Sequence, residues 1–199
     1  AVVIVGDIVD NTPVKLYKQM QELKKLKVKD HVYLVLGNHE FYSGAMGWGL
    51  AFAQMGFEFL NNYGEKLGDT GIYIAGIPDI NAAEWFKKPV KAKNALYKAE
   101  KEDYVIMLSH TPKLAEGVTA ENVDLQLSGH THGGQIRLPG YGAVLTSSVH
   151  GKRFEYGLYE HKESSAKLYV TAGLGITFLP IRFRCPPEIV KITLVHSAG

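Results

Sequence analysis

Apolar positions fall in short blocks divided by polar, glycine-rich turns. Residues 2–5, 31–36 and 104–108 are aliphatic runs without a steady polar face, the pattern of strands covered on both sides. Residues 123–127 read as another strand, and 57–60 and 72–77 as two short ones. Thr12-Pro13 reads as a helix start, a capping hydroxyl followed by proline at the first helical position. Beyond it Leu16, Met20 and Leu23 share one face, with lysines opposite. Lys24, Lys25, Lys27 and Lys29 are its solvated side. Strand, helix and strand make a βαβ unit before residue 40. A second helix is expected from a Ser43 cap to about Gln54, with Ala45, Met46, Leu50, Phe52 and Ala53 for packing. Gly44, Gly47 and Gly49 weaken it. Residues 81–101 read as mostly helical, with Pro89 starting or kinking the helix. After residue 134, segments 135–138, 154–161, 167–171 and 189–195 alternate, which predicts an antiparallel sheet. No repeat or linker interrupts the chain, so 1–199 is read as one α/β domain.

Composition narrows this picture little. The chain has 199 residues, 46% hydrophobic and 21% charged, ordinary for a globular domain with a sizeable core. No apolar run is long enough to span a bilayer, and residues 1–5 lack the basic flank of a signal peptide. The opening strand has no polar lead-in, and sequence upstream of it is expected. A net charge of +2 gives no argument for nucleic acid. A single cysteine, Cys185, excludes an intrachain disulfide.

The candidate chemistry lies at strand ends. Four stretches pair a hydrophobic strand with glycine or serine and then with side chains able to hold a metal. They are Gly6-Asp7-Ile8-Val9-Asp10, Gly37-Asn38-His39-Glu40, Ser109-His110 and Gly129-His130-Thr131-His132. Imidazole is the commonest protein metal ligand. The two histidines around Thr131 point one way in an extended backbone. Ligands of open α/β sheets bind beyond the carboxyl ends of strands, so the four ends are expected to converge there. A carboxylate, an amide oxygen and imidazoles without thiolates suit Mn, Fe, Co or Zn with open positions. Singly, each residue is equally at home in a turn; together they read as a metal site.

The order G-D-x-x-D, G-N-H-E, S-H, G-H-T-H resembles the calcineurin-like metallophosphoesterase superfamily. Gly133-Gly134-Gln135-Ile136, residues 169–175, Ile181-Arg182-Phe183 and Pro187-Glu188-Ile189 resemble its membrane-associated bacterial branch, which includes YkuE-like and YaeI-like phosphodiesterases. The resemblance implies a four-layer αββα sandwich of two mixed sheets flanked by helices. It implies two divalent metal ions (Mn, Fe, Zn or Co), with Asp7 bridging them. Asn38, His110 and His130 would complete the ligand set of the second metal and His132 would bind the first metal. His39 would act on the substrate phosphate, oriented by Asp10, with Glu40 as structural support. The family opens with a D-x-H motif that this chain lacks, so the domain reads as N-terminally incomplete and its first metal site as the weaker one.

The activity implied is hydrolysis of phosphodiester or pyrophosphate bonds, in small or lipid-linked substrates, by a metal-bound hydroxide at a dinuclear centre. The alternative is a catalytically impaired binding scaffold; the retromer scaffold subunit resembles this fold. A metal-storage role fits poorly with a non-ligand His39. Phe41, Tyr42, Met46 and Trp48 either line an apolar pocket or pack in the ordinary way. Lys87, Lys88, Lys91 and Lys93, with Trp85 and Phe86, are a solvated helix face or a contact with a membrane surface. Arg137, Arg182 and Arg184 are phosphate contacts or surface pairs, and His150 and His161 are structural.

Overall fold

The computed structural model describes residues 1–26, 28–29, 31–79, 90, 92–112, 122–144, 153–160 and 165–195. The expectations at 80–89, Lys27, Lys91, His150 and His161 lie outside them.

Strands β1 (Val2–Ile4), β2 (Val32–Leu34) and β3 (Glu58–Phe59) form one sheet in the order β1-β2-β3. Helix α1 (Pro13–Met20) joins the first two and α2 (Asn38–Gln54) the second and third. A second sheet contains β4 (Tyr63–Lys66), β5 (Ile72–Gly76), β6 (Tyr104–Leu108), β7 (Leu125–Ser128), β10 (Gly157–Glu160) and β11 (Lys167–Val170). Its order is β10-β11-β7-β6-β5-β4. Between β7 and β10, the two-stranded ribbon β8 (Arg137–Leu138) and β9 (Gly142–Ala143) stands apart.

The layering follows from side-chain alternation. Val32, Leu34 and Leu36 face α2, against Phe41, Trp48 and Phe52. Tyr33 and Val35 face the other way and meet Leu60, Ile74, Leu108 and Leu127 of the larger sheet. The outer face of that sheet, Tyr73, Ala75, Val105 and Met107, packs on Ala95 of the one-turn helix α3 (Ala92–Ala95). The result is helix, sheet, sheet, helix, the αββα sandwich expected. Gly76 sets the spacing at one point between the sheets: a Cβ there would lie 2.3 Å from Leu60 Cβ and 2.7 Å from a Val35 methyl.

Several local expectations are corrected. The smaller sheet is parallel between all its described strands; only the larger is mixed. β1 is an edge strand, so Val2–Ile4 are half-buried although both faces touch core. Thr12 precedes α1, but its hydroxyl makes no capping bond. α2 begins at Asn38 rather than Ser43, because Glu40 in its first turn accepts the Gly37 N–H at 2.7 Å and so caps it. Ser43 instead donates to the His39 carbonyl one turn back, and Gly44 (φ +111°) breaks the helical backbone beside it. Met46 and Leu50 lie on the exposed side of α2. The later strands do not make one separate antiparallel sheet, although β8 pairs antiparallel with β9 and β10 with β11. β11 pairs parallel with β7 and extends the main sheet, and 189–195 forms no strand.

Candidate metal centre

The carboxyl ends of β1 and β2 in one sheet meet those of β6 and β7 in the other. Asp7 follows β1, Asn38 follows β2, His110 follows β6 and His130 follows β7. Tight turns deliver them. Gly6 (φ +88°) lies so close to β2 that a Cβ would stand 2.5 Å from the Gly37 nitrogen. Asp7 (+52°), His130 (+68°) and His132 (+51°) occupy the left-handed region, which side chains other than glycine enter at a cost and which clusters at functional sites.

Glu40 holds the Asp7 turn in place. Fully buried, it accepts backbone N–H groups from Asp7 (2.9 Å), Ile8 (2.6 Å) and Val9 (3.0 Å) as well as Gly37. Burial pushes its carboxyl up, and the amide donors pull against that. Asp7 Oδ1 accepts the His39 backbone N–H at 2.9 Å. This leaves Oδ2 facing His110.

His110 is the hub. Its Nδ1 donates to the Val5 carbonyl at 2.6 Å. Its Nε2 stands 3.0 Å from Asp7 Oδ2, 3.2 Å from Asn38 Oδ1 and 3.1 Å from His130 Nδ1. Metal bonds near 2.1 Å at angles of roughly 90–110° place neighbouring donors roughly 3.0–3.4 Å apart. The donor set therefore has both the chemistry and the spacing for one divalent cation, and the backbone bond on the far ring nitrogen is the support metal-ligating histidines use. Asp7, His110 and His130 offer ligand atoms all within 4.8 Å of one another, the one such cluster among the described residues.

The charges agree. Burial pushes the Asp7 carboxyl up, but the hydrogen bond and charge of His110 outweigh it and bring it from 3.8 to about 2. Burial pushes His110 down, but Asp7 outweighs that and raises it from 6.5 to about 9. The two face each other as carboxylate and imidazolium, and a cation competes with that proton.

The remaining candidates stand elsewhere. His132 does not join the cluster; its Nδ1 faces the Gly175 carbonyl at 3.4 Å. Burial and then the Arg182 charge push it below its ordinary value, against that hydrogen bond. His39 occupies the first turn of α2 with its ring 6.0 Å from that of Tyr42. Asp10 is exposed and makes no hydrogen bond to His39. The turn that aims Asp7 inward is fastened at residues 7–9, and Asp10 lies beyond the last of those bonds. Arg137 donates to Gly133 O and pairs with Glu155, while Arg182 donates to the carbonyls of Ala172, Gly173 and Cys185. Both guanidiniums serve the fold.

Phe41 and Trp48 are core, while Tyr42 and Met46 are exposed. Cys185 is a buried free thiol. Asp79, after β5, was not among the sequence candidates. It is buried, and its charge contributes to raising His110. Gly76-Ile77-Pro78-Asp79 carries much the same signal as the other four, a buried strand followed by glycine and then by a side chain able to hold a metal.

A family model described as calcineurin-like phosphoesterase matches residues 1–134. The chain is 35% identical to the uncharacterized metallophosphoesterase YkuE of Bacillus subtilis, over 97% of its own length and 67% of that protein. It is 32% identical to an uncharacterized metallophosphoesterase of Helicobacter pylori, over 98% of the chain and 50% of the relative. It is also 32% identical to a transmembrane protein with metallophosphoesterase domain from Danio rerio, over 98% of the chain and 46% of the relative. The chain thus spans about half to two-thirds of the curated relatives it matches. No solved structure matches it. Among the described residues no helix is long and apolar enough to cross a membrane.

Proposed function

Because the chain belongs to the calcineurin-like phosphoesterase family, we propose that it hydrolyses phosphodiester or pyrophosphate bonds at a divalent centre held by Asp7, Asn38, His110 and His130. Membership implies divalent metal and a phosphoric ester hydrolase in general. The bond type, the metal and the residue roles are our reading. The observation that carries it is the convergence of three donor atoms on His110 Nε2 at 3.0–3.2 Å.

When bound, the cation supplies a Lewis acid that polarises a phosphoryl oxygen and acidifies a water. The chain does the rest. Glu40 and the His39 backbone N–H lock the Asp7 carboxylate so that it reaches the centre without rearrangement. His110 gives up its Nε2 proton on loading and keeps its Nδ1 bond to Val5. His132, with Nδ1 turned to Gly175, would offer Nε2 to a second cation. His39, at the start of α2, lies where the helix end favours an anion, and its imidazole protonates the departing oxygen.

The test is turnover of bis-p-nitrophenyl phosphate with added Mn²⁺. We expect activity in the wild type, loss of metal and activity in His110→Ala, and loss of activity with metal retained in His39→Ala. Full activity in His110→Ala overturns the reading. Asp10, exposed and without a hydrogen bond to His39, favours a second reading, a metal-binding scaffold without turnover. Bound metal with no hydrolysis of any phosphodiester by the wild type supports it.

A further inference from the structure

The segment after β11 is built unlike an ordinary surface loop. From Ala172 to Ile181 it carries no charged residue. Leu174, Ile176, Phe178, Leu179, Ile181 and Phe183 are all exposed, and Phe178, at 97%, is almost wholly so. Scattered exposed apolar residues need no explanation, but a contiguous run marks an interaction site.

The loop is also held stiff. Gln135 grips it from beneath: its Nε2 donates to the carbonyls of Thr177 (3.0 Å) and Leu179 (2.8 Å), and its Oε1 accepts the Thr177 N–H at 2.7 Å. Arg182 folds back and donates through Nε to the Gly175 carbonyl at 3.1 Å. Between the Gln135 contacts, Phe178 sits at φ +57°, an outlier conformation for a bulky residue. Such strain persists only where surrounding bonds over-determine it, and here it turns an aromatic ring outward.

We propose that this loop is a wedge that enters the interface of an anionic lipid bilayer. Three features select a bilayer. The carbonyls of Gly175, Thr177 and Leu179 are already satisfied from inside the protein, as a medium without hydrogen-bond donors demands. The tip offers hydrocarbon and an aromatic ring, which suits the acyl boundary. The exposed charges that follow, Arg184 and Lys191, are basic and have no carboxylate partner among the described residues, while the acid of that stretch, Glu188, is turned inward onto Thr171 Oγ1 at 2.8 Å. Arg184, next in the chain to the exposed Phe183, sets a cation beside the apolar run, which complements anionic headgroups. Gly175 of the same loop faces His132, so the loop lies beside that flank of the centre. The inference stands without the hydrolytic reading, since binding is measured without turnover.

The test is sedimentation of the purified protein with vesicles of equal parts phosphatidylglycerol and phosphatidylcholine, compared with phosphatidylcholine alone. We expect binding to the mixed vesicles that weakens with salt. Phe178→Asn, a residue type that tolerates the left-handed backbone, should fold with an undiminished melting temperature and bind about tenfold more weakly or worse. Phe178→Trp should show a blue shift on adding vesicles, beyond that of the wild type. Absence of wild-type binding overturns the proposal, as does equal binding by Phe178→Asn. A concentration-dependent dimer that Phe178→Asn abolishes also overturns it, and assigns the loop to a contact between copies of the chain.

Discussion

The two flanks of the centre are stabilised in opposite ways. On one, Asp7, Asn38 and His110 are aimed by buried groups, above all a Glu40 carboxylate that ties two strand ends together. On the other, His132 leans on Gly175, whose loop is exposed and held by two long polar side chains, Gln135 and Arg182. The first flank lies within the stretch matched by the family model, residues 1–134; the brace of the second, Gln135 and Arg182, comes from beyond it. A buried clamp fixes ligand geometry tightly because unmet hydrogen bonds there are costly. On the second flank Gln135 is buried but Arg182 is only half-buried, so loosening at Arg182 is tolerated, because water replaces what is lost.

The contrast can be broken most directly at Glu40. Glu40→Ala strands four N–H donors, two of them buried, and should cost roughly 4 kcal/mol, read as the midpoint shift in urea unfolding. A loss under about 1 kcal/mol would mean the clamp is not what holds the site.

Next in size is the pH response of the metal-free protein. The folded His110 pKa, about 9, lies above its ordinary 6.5. Its contribution is therefore complete below pH 6.5 and lost as pH rises through 9. The folded Asp7 pKa, about 2, lies below 3.8, so its contribution is complete above pH 3.8 and lost on acidification toward 2. The two describe one ion pair, worth up to roughly 3 kcal/mol. In EDTA the melting temperature should fall between pH 6.5 and 9, and His110→Gln should flatten that fall. An unchanged slope in the variant would remove His110 from the account.

A smaller effect is expected at Gly37. Alanine there places Cβ 2.2 Å from Asp7 Oδ1, so the carboxylate must move. We expect metal affinity to drop about 10–100-fold, with about 1–3 kcal/mol of stability lost, by calorimetric titration. The mildest change is Arg182→Lys. It keeps the charge but loses the forked donors, and should cost about 1 kcal/mol and leave metal affinity at Asp7 and His110 unaltered. A large affinity loss would show that the two flanks are coupled.

The strands and the βαβ beginning were legible because each is a local pattern: apolar runs of strand length, a Thr-Pro start, a helical stripe. The two-layer build came only with the family resemblance, because no local pattern says which sheet packs on which. The donors were legible because Asp, Asn and His after buried strands have few other reasons to recur. Gln135 and Arg182 were not, since a polar side chain that turns inward to satisfy a loop looks in sequence like any surface residue. The pairing of 167–171 with β7 was hidden as well, because alternation says that a segment is a strand but not which edge it joins.

By itself the sequence determined which residue types stand at which strand ends, since hydrophobic period and turn chemistry act over a few neighbours. Only the tertiary structure decided that His110 would be the meeting point, that Glu40 would fasten Asp7 while Asp10 stayed outside, and that His132 would face a loop over forty residues away. Those outcomes depend on distances between segments far apart in the chain, and packing of the two sheets sets such distances to within an ångström.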